Sequence, residues 1–155
     1  MSVESVRGWL AEHAPELRLI EGTASTATVA DAAAALGVTP ARIAKTLALR
    51  VGETVLLVVA RGDARIDNAR CKAEFGGKPR MLDAAETEKL TGHPVGGVCP
   101  FGLATPLAVY CDVSLRAFHT VFPAAGSRTA SVEVAPERLA GLVSQRWVEV
   151  CRLPE

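Results

Sequence analysis

Two stretches of this 155-residue chain combine residue types that could act on a ligand: Ile43-Ala44-Lys45-Thr46-Leu47, and the glycine-rich run Gly92-His93-Pro94-Val95-Gly96-Gly97-Val98-Cys99-Pro100-Phe101-Gly102. In the first, a lysine enters a segment whose neighbours are apolar. Desolvating an ammonium there is costly unless it meets an anion or a polar site. The other reading is a stem that runs along the strand and releases its charge at the surface. In the second, the glycines let the backbone approach a ligand closely. The prolines stiffen its path, so that exposed amides keep their direction and can donate to a carbonyl oxygen or a phosphate. A rigid helix-to-strand connection is the alternative, and the spacing matches neither a P-loop nor a dinucleotide fingerprint. A third stretch, Ala124-Ala125-Gly126-Ser127-Arg128, reads as a hairpin turn or as a second ligand wall with Ser127 as a hydrogen-bonding group.

Other chemistries find little material. His13, His93 and His119 are scattered, no G-x-S-x-G elbow occurs, and nothing beside Cys99 in sequence would depress a thiol pKa. Cys71, Cys99, Cys111 and Cys151 show no C-x-x-C spacing and no neighbouring histidine pair. Neither a zinc site nor any other metal or cofactor is therefore expected. The cysteines read as reduced, small, buried hydrophobes. Basic and acidic residues balance at 17 each, so contact with nucleic acid should be short and local rather than a long nonspecific grip. Residues 61–80 carry Arg61, Arg65, Arg70, Lys72, Lys78 and Arg80 against Asp63, Asp67 and Glu74. That surplus suits a few phosphate contacts or a solvated helix face. The start of the chain lacks a secretory pattern and the longest apolar run, 55–60, is far too short to span a bilayer. A cytoplasmic protein without membrane contact is expected.

The elements that must position these residues follow from periodicity and punctuation. Val3, Val6, Trp9 and Leu10 recur at helical spacing and predict a helix over 2–13. Residues 17–20 alternate like a strand. Thr28 and Asp31 form a helix-start box for an alanine-rich helix that Gly37 ends, and Thr39-Pro40 opens a second, short helix. Residues 45–50 and 54–60 predict a hairpin turning at 51–53, followed by helices over 66–75 and 84–90 and an irregular stretch over 93–106. Strands at 107–111, 118–122 and 131–134, a helix over 136–143 and a strand at 147–151 complete the chain. With strands arriving both in hairpins and after helices, this is an α+β fold: one domain, 1–155, with a mixed, curled sheet flanked by helices.

In combination, 32–37, Ile43-Ala44-Lys45-Thr46-Leu47, 58–67, Leu90-Thr91-Gly92, 96–102 and Ala125-Gly126 resemble the YbaK/prolyl-tRNA synthetase-associated domain family of aminoacyl-tRNA deacylases. The matches fall in the family's order over most of the chain. Lys-Thr-Leu paired with Gly-Gly-x-x-Pro carries the specificity. The resemblance implies a sheet curling around a pocket. It also implies hydrolysis, in trans, of the ester joining an amino acid to the 3′ end of a mischarged tRNA, usually a proline-accepting one. Lys45 would be essential, with Gly96, Gly97, Val98 and Cys99 presenting amides to the substrate carbonyl. Thr46, Pro100, Gly126 and Ser127 would bind substrate. The implied partner is the tRNA acceptor end, and an aminoacyl-tRNA synthetase is left open as a second. In cysteine-specific relatives a serine and an aspartate line the site where this chain has Ala124 and Ser131; alanine-specific relatives have asparagine where it has Thr46. Removal of Ala, Cys, Ser or Thr remains open, as does a noncatalytic module that binds aminoacyl-tRNA ends or a synthetase.

Overall fold

The computed structural model describes residues 2–154. Its first helix, α1 (Ser2–His13), leads to a short strand β1 (Leu19–Glu21) and then to helix α2 (Val29–Leu36). The start of α2 is set by Thr28, whose hydroxyl accepts from the Asp31 amide, and its end by Gly37 in the left-handed region at φ 69°. A 3-10 turn at Pro40–Arg42 delivers the chain into β2 (Ile43–Val51), which pairs antiparallel with β3 (Thr54–Arg61) across a two-residue turn. Next come β4 (Arg65–Ile66), helix α3 (Asn68–Phe75), β5 (Pro79–Met81) and helix α4 (Ala84–Thr91). After the glycine-rich stretch the chain forms β6 (Ala108–Asp112), a 3-10 turn at Val113–Ala117, β7 (Phe122–Pro123) and β8 (Ala130–Val132). Helix α5 (Pro136–Val143), β9 (Trp147–Val148) and β10 (Cys151–Arg152) close it.

The main sheet is mixed, ordered β5-β2-β3-β6-β9, and β7 adds parallel pairing at the start of β2. Two short pairs, β1 with β8 and β4 with β10, lie outside it. This is the expected α+β architecture. Strand alternation divides the apolar residues between two faces. Ala44, Ala48, Leu57, Val59 and Val109 pack with Val6 and Leu10 of α1 and Leu139 of α5. Leu49, Leu56, Val58 and Ala60 pack with Cys71 and Val148. Thr46 thus stands on the face of Ala44 and Ala48, whereas Lys45 leaves the strand on the opposite face, paired in register with Ala60.

Several boundaries differ from expectation for identifiable reasons. The helix expected from residue 66 starts at Asn68, because Asp67 caps it by accepting from the Arg70 amide and Ile66 is in β4. The single strand expected over 147–151 splits in two. Between its halves the Val150 amide donates to the buried Asp112 carboxylate and its carbonyl accepts from the Asp67 amide. Most of 118–122 is not strand; Val121 makes an isolated antiparallel bridge with Val134, and the strand itself is Phe122–Pro123. The edge strand β5 had no alternating apolar signal to announce it.

Candidate active site

One cleft of about 340 Å³ gathers much of the chemistry read from the sequence. Its floor comes from β2 through Ile43, Ala44, Lys45, Thr46 and Ala48, and one wall from residues 26–29 at the entry to α2. Met81, Leu82, Ala84 and Thr87 flank it at the start of α4, and Val95, Gly96 and Val98 face in from the glycine-rich loop. Phe122, Ala124 and Ser131 complete the lining. The lining residues include no carboxylate, imidazole or thiol.

The loop gets its shape from being packed on its neighbours. Gly96 adopts φ 95°, a conformation few other residues tolerate, with Ala27 and Arg128 in contact range of any added Cβ. Gly97 fits because it has no side chain: a Cβ there would lie 2.7 Å from the Ser127 nitrogen and 2.9 Å from the Gly126 carbonyl carbon. The Gly97 amide donates to the Pro94 carbonyl at 2.9 Å, and its carbonyl accepts from the Gly126 amide at 3.0 Å. The Arg128 guanidinium donates to the Val95 carbonyl at 2.9 Å. Among the described residues, the amides of Gly96 and Val98 meet no acceptor.

These contacts redistribute the roles drawn from the sequence. Lys45, Thr46, Gly96 and Val98 all line the cleft, whereas Gly97, Cys99, Pro100, Gly126 and Ser127 do not. The Gly97 amide is already engaged. Of the 124–128 stretch, Ala124 lines the cleft while Gly126 and Ser127 pack on Gly97, and the Ser127 hydroxyl accepts from the Thr129 amide at 3.3 Å. Cys99 is fully buried, its sulfur 3.5 Å from His93 Nε2, and burial pushes its thiol up to about 12. It stays protonated and out of reach of the cleft.

Lys45 also differs from a cation aimed across the cleft at the loop amides. Its ammonium donates to the Gly62 carbonyl at 3.1 Å and to the Ala64 carbonyl. Gly62 in turn packs directly against Pro40, Val29 and Ile43, the last two being cleft residues. The ammonium is therefore held against the 62–64 turn, half-buried, and burial holds its pKa below the ordinary lysine range.

The sequence reading passed over His93, which is wholly buried and holds the loop at its base. Its Nδ1 lies 2.5 Å from the Ser2 hydroxyl and its Nε2 lies 2.7 Å from the Phe101 carbonyl. The neutral ring protonated at Nε2 satisfies both, donating to Phe101 and accepting from Ser2. Burial lowers its pKa while the Phe101 carbonyl opposes that shift. The hydroxyls of Thr26 and Thr46 were also missed as a pair. Both residues line the cleft, both Oγ1 atoms are buried, and neither has a hydrogen-bond partner among the described residues. Residues 26 and 46 are far apart in sequence, so only the fold reveals that they line one cleft.

Comparison with known proteins gives a consistent picture. A family model described as an aminoacyl-tRNA editing domain matches residues 23–142. The uncharacterized protein YwhH of Bacillus subtilis (strain 168) is 47% identical over 154 residues, 98% of each chain. The proposed Cys-tRNA(Pro)/Cys-tRNA(Cys) deacylase EbsC of Enterococcus faecalis is 31% identical, covering 76% of this chain and 73% of its own. A proline–tRNA ligase of Geobacter is 31% identical over 75% of this chain, which corresponds to 21% of the ligase. Among solved structures, a proposed trans-editing enzyme for prolyl tRNA synthetase superposes with a TM-score of 0.88 at 31% identity, over 97% of both chains.

Proposed function

The chain belongs to the aminoacyl-tRNA editing domain family, and from that premise we propose that it is a deacylase that hydrolyses the ester of mischarged tRNA in trans. Water adds to the ester carbonyl, the bond to the terminal ribose oxygen breaks, and the products are a free amino acid and a tRNA with its 3′ end restored. The proline-accepting tRNA is the proposed carrier, by analogy with what EbsC and the solved trans-editing relative are described as acting on or with.

The observation that carries this reading is the glycine-rich loop on the cleft: the amides of Gly96 and Val98 meet no acceptor among the described residues, and the lining holds no carboxylate, imidazole or thiol, Lys45 being its one ionisable side chain. Such a site suits a substrate that is already activated. An aminoacyl ester needs its carbonyl oriented and the developing oxyanion stabilised, and one well-placed donor is worth about 10²–10³ in rate. The attacking water would be activated by a group of the substrate. Lys45 supports the site in two ways: it braces the turn at Gly62, and it keeps a positive charge beside the rim that the terminal ribose and its phosphate approach.

The decisive experiment incubates the purified chain with a panel of mischarged tRNAs and follows amino-acid release. Turnover that disappears in Lys45→Ala, in a variant that still unfolds cooperatively, is the expected result. Full activity in Lys45→Ala would remove that residue from the mechanism. Binding without release, for every tRNA tried, would instead make the chain a noncatalytic reader of aminoacyl-tRNA ends.

A further inference from the structure

Buried hydroxyls normally find a partner, and each one that does not calls for an explanation. Thr26 and Thr46 both fail this rule within a single cleft. Thr26 is 8% exposed, so its hydroxyl cannot simply turn to bulk water. Its own amide is fixed to the Arg128 carbonyl at 2.6 Å, which ties it to the stretch that buttresses the glycine loop. Thr46 projects from the same strand face as Ala44 and Ala48, whose small side chains leave the space in front of it open. Ser131, 3% exposed, lines the same cleft. The remaining lining is mostly aliphatic. No carboxylate is present to receive a cationic side chain, and the Lys45 ammonium is already held by carbonyls.

We propose that the acyl group this cleft selects carries a side-chain hydroxyl, as in seryl or threonyl esters, and that Thr26 and Thr46 are the residues that recognise it. The inference rests on the deacylase reading and refines its substrate. A hydroxyl both donates and accepts, so one such group can satisfy two threonine hydroxyls that otherwise stay unpaired. A methyl group leaves both unpaired, and a thiol is a weak donor and a weak acceptor. A site that holds buried polar groups for a substrate hydroxyl rejects the analogue lacking it more strongly than an apolar pocket rejects an added hydroxyl. One neutral hydrogen bond of this kind amounts to about tenfold in rate, and two to about a hundredfold.

The test is deacylation of one tRNA carrying seryl, threonyl, alanyl, cysteinyl or 2-aminobutyryl groups, compared as kcat/KM. The seryl and 2-aminobutyryl pair decides, because they match in size and differ in a hydroxyl against a methyl. Seryl release should be faster by at least about tenfold. In Thr46→Val and in Thr26→Val, each isosteric, that ratio should fall about tenfold, and Thr46→Ser, which keeps the hydroxyl, should restore it. Equal rates for the two esters in the wild-type chain overturn the proposal while leaving deacylation standing. So does an unchanged ratio in both valine variants, which would mean that water occupies these hydroxyls. Release from none of the five esters overturns the deacylase reading itself, and this proposal with it.

Discussion

If the glycine-rich loop is held in place by backbone-to-backbone packing, the smallest possible side chain at Gly97 should damage it. An alanine Cβ at this position would stand 2.7 Å from the Ser127 nitrogen and 2.9 Å from the Gly126 and Ser127 carbonyl carbons, where ordinary contact begins near 3.4 Å. The opposing atoms are all main chain, so no flexible side chain can step aside, and the two loops must separate by about 0.7 Å (3.4 minus 2.7). Overpacking of this kind costs about 1–3 kcal/mol. For a chain of this length that corresponds to roughly 3–10 °C in Tm. The separation also strains the Gly126-to-Gly97 hydrogen bond and displaces the neighbouring Gly96 and Val98 amides. Misplacing such groups by about 1 Å can cost about 10²-fold in rate, so deacylation should fall at least about tenfold beyond any loss of folded protein. Gly141→Ala provides the control. Gly141 lies within α5 with nothing within 4 Å of an added Cβ, and alanine there should stabilise by about 0.5–1 kcal/mol with activity intact. Urea unfolding paired with single-turnover deacylation measures both quantities. If Gly97→Ala matches the parent in stability and rate, the loop is not pinned in the way these contacts require.

Three further outcomes follow from the same contacts. Cys99→Ala should retain deacylation within about threefold while losing about 1 kcal/mol in urea unfolding, because its thiol is buried and protonated; a hundredfold loss of rate would reinstate it as a nucleophile. Burial holds the native His93 pKa below the ordinary value of about 6.5. Between those two pKa values the unfolded chain binds the extra proton and the native chain does not, so stability should decrease as pH falls below about 6.5. Urea midpoints for the parent and His93→Gln across that range would show the parent losing the steeper increment, and parallel curves would refute the assignment. Gly62→Ala should destabilise strongly, since its Cβ would meet the Pro40 carbonyl oxygen at 2.2 Å. It should also loosen the Lys45 tether, which slower deacylation per folded molecule would report.

The helices were legible where local chemistry sets them. Thr28 and Gly37 bracket α2, and Pro136 opens α5, as the residues themselves dictate. The β2–β3 hairpin was legible for the same reason, from two apolar runs around Gly52. The short strands were not. β4 and β5 went unannounced, and the single strand expected over 147–151 is instead β9 and β10; these strands have two or three residues each, and long-range pairing defines their bounds rather than any periodicity of their own. The site divides in the same way. Lysine and glycine motifs are visible along a chain, but the partner of a group is not. Nothing in the local sequence says that Lys45 reaches two carbonyls beyond β3, that the Gly97 amide is consumed by Pro94, or that His93 closes on Phe101.

The position of Lys45 bears on how such a cleft can work. An ammonium free in the cleft would form its strongest contacts with substrate already in the ground state, and binding that is equal in ground and transition states lowers KM without raising kcat. Held by the carbonyls of Gly62 and Ala64, the charge would on the proposed mechanism act as a fixed field and brace the turn that packs on Val29 and Ile43. On the proposed mechanism, selective stabilisation of the transition state would fall to the main-chain amides of Gly96 and Val98, which lose no side-chain entropy on binding. Arginine cannot replace the lysine on this view. Its planar fork suits a carboxylate or phosphate better than two carbonyls converging on one ammonium, so Lys45→Arg keeps the charge and loses the brace. If charge alone were what the site required, Lys45→Arg would deacylate like the parent; if the brace matters, it behaves like Lys45→Ala.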